Sequence, residues 1–263
     1  MTESVSPSAQ PSFIPGPALF GVGVGPGAPD LLTLRAVRLL KEAAVVAIPR
    51  RSDTAPSLAW AIAQPEVGEV PGQERLFLTF PMSKDPQVLL PRWEEALGQI
   101  GKRLEAGLSV AFIAEGDPLV YSSFIYLLGE ARQRWPQVPV EIIPGVTSLT
   151  AAPAAAALPL VDGQERLAVI PASYGVEDLA QVLDAFDTVI ITKVGDTLPH
   201  MIDLFTRRGC LEQAVYISRA TMDRQKVVRD LRQVPAGKCD YFSMVVVRQG
   251  GRSGVLMGRG AGA

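Results

Sequence analysis

Leu19-Phe20-Gly21-Val22-Gly23-Val24-Gly25-Pro26-Gly27-Ala28-Pro29-Asp30-Leu31-Leu32-Thr33 is an apolar run that dissolves into alternating glycines and then prolines. An apolar stretch that stops in this way reads as a buried strand delivering a tight turn to a helix. Glycine has no side chain, so such a turn lets a ligand approach the main chain. Gly23, Gly25 and Ala28 satisfy a loose dinucleotide fingerprint, but that fingerprint also asks for an acidic residue at the end of the second strand. The second apolar run, Ala43 to Ile48, ends in Pro49-Arg50-Arg51 instead. A strand-to-helix turn beside a small ligand therefore fits better than a nicotinamide site; taken alone, the stretch also fits a turn that binds nothing.

The pattern continues outward as strand, helix, strand. Leu31 to Glu42 has apolar positions at helical spacing with Arg35, Arg38 and Lys41 between them, which predicts a helix with one buried face. Ala43 to Ile48 is continuously apolar, as expected of a parallel strand covered on both sides. Helices are expected at Ser57–Ala63, Leu89–Glu105 and about Tyr121–Arg134, and strands at Arg75–Phe80, Leu108–Ala114 and Val138–Ile143. Two of these strands end in Gly/Pro turns like the first one: Glu115-Gly116-Asp117-Pro118 and Pro144-Gly145-Val146-Thr147-Ser148. The carboxyl ends of parallel strands share one edge, so the three turns can converge on one site.

Past about Thr150 the pattern changes. An alanine-rich helix, Leu149 to Leu158, precedes strands at Arg166–Ile170, Thr188–Thr192, Ala214–Ser218 and Phe242–Val247, with helices at Val176–Ala185 and Leu198–Arg208. Short loops such as Ala236 to Asp240 imply some antiparallel pairing. The expected architecture is two α/β domains: residues 19–143 with a mainly parallel sheet and residues 144–248 with a mixed one. Residues 1–18, rich in Ser, Pro and Gln, read as a disordered leader and 249–263 as a flexible tail.

Composition removes several classes of function. A net charge of -2 is not a nucleic-acid footprint. No stretch reaches the roughly 18 uninterrupted apolar residues that a membrane span needs. Cys210 and Cys239 form no framework and no metal-ligand spacing, so a reducing cytoplasm is the simplest compartment. The one histidine, His200, reads as a surface or helix-start residue, and a zinc site is not expected. Ser122, Ser123 and Ser148 have no histidine base in prospect, which disfavours a hydrolase triad.

Glu115 and Asp117 bracket Gly116 at a strand end. Such an acid could accept hydrogen bonds from a ligand ribose or amine, and Asp117 before Pro118 could equally cap the helix that follows. Arg50, Arg51, Arg75, Lys84 and Arg92 give the region after the second strand a basic colour, suited either to a solvated surface or to a polycarboxylate.

Taken together, Gly21 to Gly27 with Asp30-Leu31-Leu32-Thr33, Glu115-Gly116-Asp117-Pro118 and Ile143 to Ser148 resemble the tetrapyrrole (corrin/porphyrin) methylase family, and Tyr241 to Val247 resembles its closing strand. Phe80 to Asp85 and Gly116 to Leu127 are most similar to the branch acting on carbon 20 of precorrin-2; Val120 and Ser122 depart from that branch's usual residues. The resemblance implies S-adenosylmethionine in a cleft between the two domains, a precorrin-2 or cobalt-precorrin-2 substrate, no protein-bound metal, and a homodimer. Residue by residue it implies cofactor contacts at Gly25, Pro26, Glu115, Gly116, Asp117, Val120, Thr147 and Ser148, and later at Val194 and Ala220. Glu115, Asp117 and Tyr121 are the candidate proton acceptors by location, and Arg50 and Arg51 the candidate partners for substrate carboxylates. Another tetrapyrrole methylase is the rival within the class; a nucleotide-binding oxidoreductase or binding module is the rival outside it.

Overall fold

A computed structural model describes residues 16–83, 85–172, 178–235 and 239–250. The chain divides into two compact units between Thr147 and Ser148, where the sequence reading had placed the break after Ile143.

The first unit is built on five strands: β1 (Ala18–Gly23), β2 (Val45–Arg50), β3 (Glu74–Thr79), β4 (Ser109–Ala114) and β5 (Val140–Ile143). They lie in the order β3-β2-β4-β1-β5, and every neighbouring pair is parallel. Helices α1 (Leu34–Glu42), α2 (Leu58–Val67), α3 (Pro86–Glu105) and α4 (Phe124–Arg134) cover it. Alternate side chains of β1 and β4 sort the layers. Phe20, Val22, Ala111 and Ile113 pack with α1 and α2, whereas Leu19, Val110 and Phe112 pack with α3 and α4. Burying each large apolar side chain on such a sheet stabilises by about 1.5–3 kcal/mol. The neighbours β1 and β4 thus lead into helices on opposite faces, and the change of face falls at their shared carboxyl edge.

Local chemistry sets the helix starts. The expected helix from Leu31 instead begins at Leu34: Pro29–Leu31 forms one 3-10 turn, Leu32 is extended, and the Thr33 hydroxyl oxygen accepts the Ala36 N–H at 3.1 Å. Ser57 does the same for Trp60 at the start of α2. Asp85, whose carboxylate accepts the Gln87 N–H at 2.8 Å, starts α3 earlier than expected.

The second unit contains α5 (Ser148–Ala155), β6 (Leu167–Pro171), α6 (Leu179–Ala185), β7 (Thr188–Thr192), α7 (Leu198–Arg207), β8 (Ala214–Ser218), β9 (Lys226–Val228) and β10 (Ser243–Arg248). Its sheet runs β6-β7-β10-β8-β9 and is mixed: β6 and β7 are parallel, while β10 is antiparallel to both β7 and β8, and β8 to β9. The strand β9 carries no apolar run and was not expected. The last described strand, β10, is buried at the centre of the sheet.

Most of the expected leader and tail lie outside the described residues, as do Lys84, the start of the Val176 helix and the middle of the Ala236 loop. At the margins, Ala18 already belongs to β1, and Gln249 and Gly250 donate N–H groups to the Asp187 carbonyl at 2.8 and 3.2 Å. No described helix is long and apolar enough to cross a membrane.

Candidate active site

The three Gly/Pro turns meet at the carboxyl edge of the first sheet. Val24 donates its N–H to the Ala114 carbonyl at 2.9 Å, extending the β1–β4 pairing by one residue. Beyond it Gly25 and Gly116 exchange hydrogen bonds, Gly25 N–H to Gly116 O at 3.3 Å and Gly116 N–H to Gly25 O at 2.7 Å. Both glycines have positive φ, 82° and 65°, a conformation in which a side chain would be strained. The third turn closes on the other two: a Cβ on Gly145 would lie 2.0 Å from the Gly116 carbonyl oxygen and 2.8 Å from the Gly23 Cα. Only main chain fits where the turns touch.

Asp117 ties the second turn to the third. One carboxylate oxygen accepts the Leu119 N–H at 2.9 Å and the other the Gly145 N–H at 3.0 Å. The first bond closes a local turn and caps no helix, since α4 starts only at Phe124; the second joins segments distant in sequence. Pro26 is buried beside this junction, and Val120 and Thr147 are half-buried. Ser148 is exposed at the start of α5. Tyr121 is exposed and holds a left-handed backbone, φ 52°, while the Ser122 hydroxyl accepts the Phe124 N–H at the start of α4.

Glu115 has an exposed surface, yet the protein packed around its carboxyl strips enough hydration to push its pKa up, against a smaller downward pull from the Arg51 charge. The sequence placed these two residues in separate roles; the β2–β4 pairing brings them to one edge. Arg50 is differently engaged: its Nε donates to the Thr79 hydroxyl at 3.3 Å, its guanidinium lies 3.5 Å from Asp53, and it stacks 5.2 Å above the Phe77 ring. Arg51 is exposed.

In the second unit, Val194 and Ala220 follow β7 and β8 at the edge where β10 enters. Both side chains are buried, on opposite faces of the sheet: Val194 with the α6/α7 layer and Ala220 with Ala152 and Ala156 of the α5 layer. Neither side chain carries a polar group, so any hydrogen bond they make with a ligand is through the main chain. His200 is exposed at the start of α7, and Cys210 and Cys239 are unbridged. Among the described residues no three His, Cys, Asp or Glu side chains are grouped as metal ligands.

Sequence reasoning missed two features: the tie from Asp117 to Gly145, which needs the third turn in place, and a cluster around Arg219, Asp240 and Tyr216 at the edge of the second sheet. The signal for the first lay in the Pro144-Gly145 turn. The second had none, because Asp240 is remote in sequence from Tyr216 and Arg219 and all three are of ordinary types.

A parallel sheet whose strand ends interlock through main chain, followed by a mixed sheet with its own strand-end turns, defines a two-sheet α/β protein. Residues 18–235 match the model of the Tetrapyrrole (Corrin/Porphyrin) Methylases, and the chain belongs to that family. It is 35% identical over 248 residues to cobalamin biosynthesis protein CobIJ of Mycobacterium tuberculosis, covering 91% of this chain and 47% of CobIJ; the chain spans about half the length of that curated relative. It is 33% identical to a precorrin-2 C(20)-methyltransferase of Sinorhizobium sp (87% of this chain, 94% of the relative). With the cobalt-precorrin-2 C(20)-methyltransferase of Salmonella typhimurium it shares 34% identity (88% and 96%). The solved structure of cobalt precorrin-4 methyltransferase CbiF is similar with a TM-score of 0.65 at 25% identity, over 88% of this chain and 94% of that one.

Proposed function

We propose that the chain transfers a methyl group from S-adenosylmethionine to carbon 20 of precorrin-2 or its cobalt complex, in cobalamin biosynthesis. The observation that carries this reading is the junction of Gly25, Gly116 and Gly145 at one sheet edge, in a chain whose full-length relatives bear the precorrin-2 and cobalt-precorrin-2 names. The residues present suit the cofactor. A sulfonium with ribose and amino-acid arms calls for hydrogen-bond acceptors, hydroxyls and close main-chain approach. Glu115, the Thr147 and Ser148 hydroxyls and the glycine turns supply these, and buried Pro26 stiffens the first turn.

When bound, S-adenosylmethionine supplies an electrophilic methyl carbon on an already excellent leaving group. Carbon 20 is made nucleophilic by the flanking pyrrolic nitrogens of the substrate, so the protein's tasks are to align an in-line displacement and to exclude water. We assign main-chain contacts to Gly25, Pro26, Gly116, Val120, Val194 and Ala220. Asp117 is assigned to holding the turns together, since both its oxygens already accept main-chain N–H groups. Glu115 is the proton acceptor we favour after methyl transfer: an upward-shifted carboxyl at the strand edge is a better base near neutral pH than an ordinary one. Tyr121, exposed further along the same turn, is the alternative. Arg51, exposed and unbraced by the Thr79–Asp53 pair that occupies Arg50, is the residue assigned to a substrate carboxylate. A homodimer in the cytoplasm completes the proposal.

The test is anaerobic incubation of the purified protein with S-adenosylmethionine and either metal-free or cobalt-loaded precorrin-2, with the product methyl located by mass spectrometry and carbon NMR. A methyl on carbon 20 is the expected result, and the preferred substrate form fixes the branch. Turnover of uroporphyrinogen III in its place overturns the carbon 20 assignment.

A further inference from the structure

Three non-glycine residues with left-handed backbone lie at one edge of the second sheet: Lys193 (φ 56°) directly after β7, and Arg219 (φ 48°) and Thr221 (φ 67°) on either side of Ala220 after β8. A residue bearing a Cβ is disfavoured there, a β-branched threonine most of all. Such backbone persists only where surrounding contacts over-determine it, and it clusters where ligands are clamped.

Around Arg219 those contacts are specific. Its Nε pairs with one carboxylate oxygen of Asp240, its guanidinium carbon lies 5.9 Å from the Phe242 ring centroid, and its N–H donates to the Phe242 carbonyl at 2.8 Å. Asp240 is fixed in turn. Its N–H donates to the hydroxyl of Tyr216, buried in β8, at 3.3 Å; its second carboxylate oxygen accepts the Phe242 N–H at 3.0 Å; and its carbonyl accepts the Ser243 hydroxyl. On the far side of Ala220, Thr221 donates its N–H to the Gln225 side-chain oxygen at 2.7 Å. Ala220 is 8% exposed, and its methyl side chain leaves only the main chain able to hydrogen-bond. An ion pair between two half-buried side chains is thus spent on one strained peptide segment rather than on the core.

We propose that Arg219 and Asp240 are positioning residues: their pair, anchored on Tyr216 and Phe242, holds the Ala220 main chain in the form that receives the S-adenosyl group. This rests on the methyltransferase reading above. Because the segment is already fixed in the free protein, binding loses no entropy in ordering it.

Two variants test this by calorimetric titration with S-adenosylhomocysteine alongside thermal melting. Asp240→Asn keeps an acceptor for the Phe242 N–H and removes the charge. Arg219→Gly removes the pair but adopts positive φ without strain. Both are expected to weaken S-adenosylhomocysteine by about tenfold, the scale of one charge-assisted hydrogen bond, and to raise KM for S-adenosylmethionine while kcat holds. Arg219→Gly is expected to do so with a melting temperature at or above that of the unaltered chain, which separates positioning from mere stability. Affinity within twofold of the unaltered chain in both variants, or affinity loss that simply tracks melting temperature, overturns the inference and leaves the methyltransferase reading standing. If the unaltered chain itself fails to bind S-adenosylhomocysteine, that reading falls first and takes the inference with it.

Discussion

Replacing Gly145 by alanine places a methyl group 2.0 Å from the Gly116 carbonyl oxygen, where ordinary contact begins near 3.4 Å. The turns must therefore separate by about 1.4 Å, and neither obstacle is a mobile side chain, since the next nearest atoms belong to the Gly23 main chain. The bond from Gly145 N–H to Asp117 lies across that gap. Overpacking of this kind costs about 1–3 kcal/mol, and loss of that one bond adds about 1 kcal/mol. A total near 3 kcal/mol follows, equivalent to a fall of roughly 6–12 °C in melting temperature for a chain of this size. The same displacement disrupts the interlocked turns, so S-adenosylhomocysteine affinity falls by about tenfold or more. Differential scanning calorimetry and ligand titration measure both. A Gly145→Ala protein that melts within about 2 °C of the unaltered chain and binds the ligand within twofold refutes the geometric argument.

Gly98 and Gly129 provide the contrast: both are inside helices with open space at the Cβ position, so Gly98→Ala and Gly129→Ala are each expected to stabilise by about 0.5–1 kcal/mol in the same calorimetric measurement. For Glu115, the folded state raises the carboxyl pKa above its ordinary value of 4.5. The folded protein therefore holds the proton more tightly than the unfolded one, and stability is lost as pH rises from that value through the shifted one. Glu115→Gln is thus expected to melt above the unaltered chain near neutral pH, with the difference closing as pH falls below the ordinary carboxyl value; melting curves across pH that stay parallel count against it. Arg51→Ala, at an exposed position, is expected to raise KM for the tetrapyrrole by about tenfold with little change in melting temperature, and an unaltered KM removes Arg51 from the substrate site.

Much of this organisation is legible in the chain itself. Thr188–Thr192 and Ala214–Ser218 are readable to the residue because fully buried strands in a covered sheet carry an unbroken apolar centre, here between Thr188 and Thr192 and ahead of Ser218. The strand Lys226–Val228 is not: it is three residues long, partly polar and at the edge, so it owes its conformation to its partner β8 rather than to its own pattern. The start of α1 shifts to Leu34 because capping by Thr33 outweighs apolar spacing that begins at Leu31. Within the site, glycines announce the turns, but their interlock depends on three strand ends being neighbours, and sheet order is not written in any one of them. Arg51 and Glu115 illustrate the same limit, since their proximity is a property of β2 lying beside β4.

The central place of β10 in the second sheet bears on how the protein is made. On the ribosome, β6 and β7 emerge as one pair and β8 and β9 as another, and nothing joins them until Ser243–Arg248 is synthesised and inserted between β7 and β8. The first sheet, by contrast, has all five strands by Ile143. A nascent chain stalled before Ser243 would present two open hydrogen-bonding edges, and with them a hazard of aggregation that insertion of β10 removes.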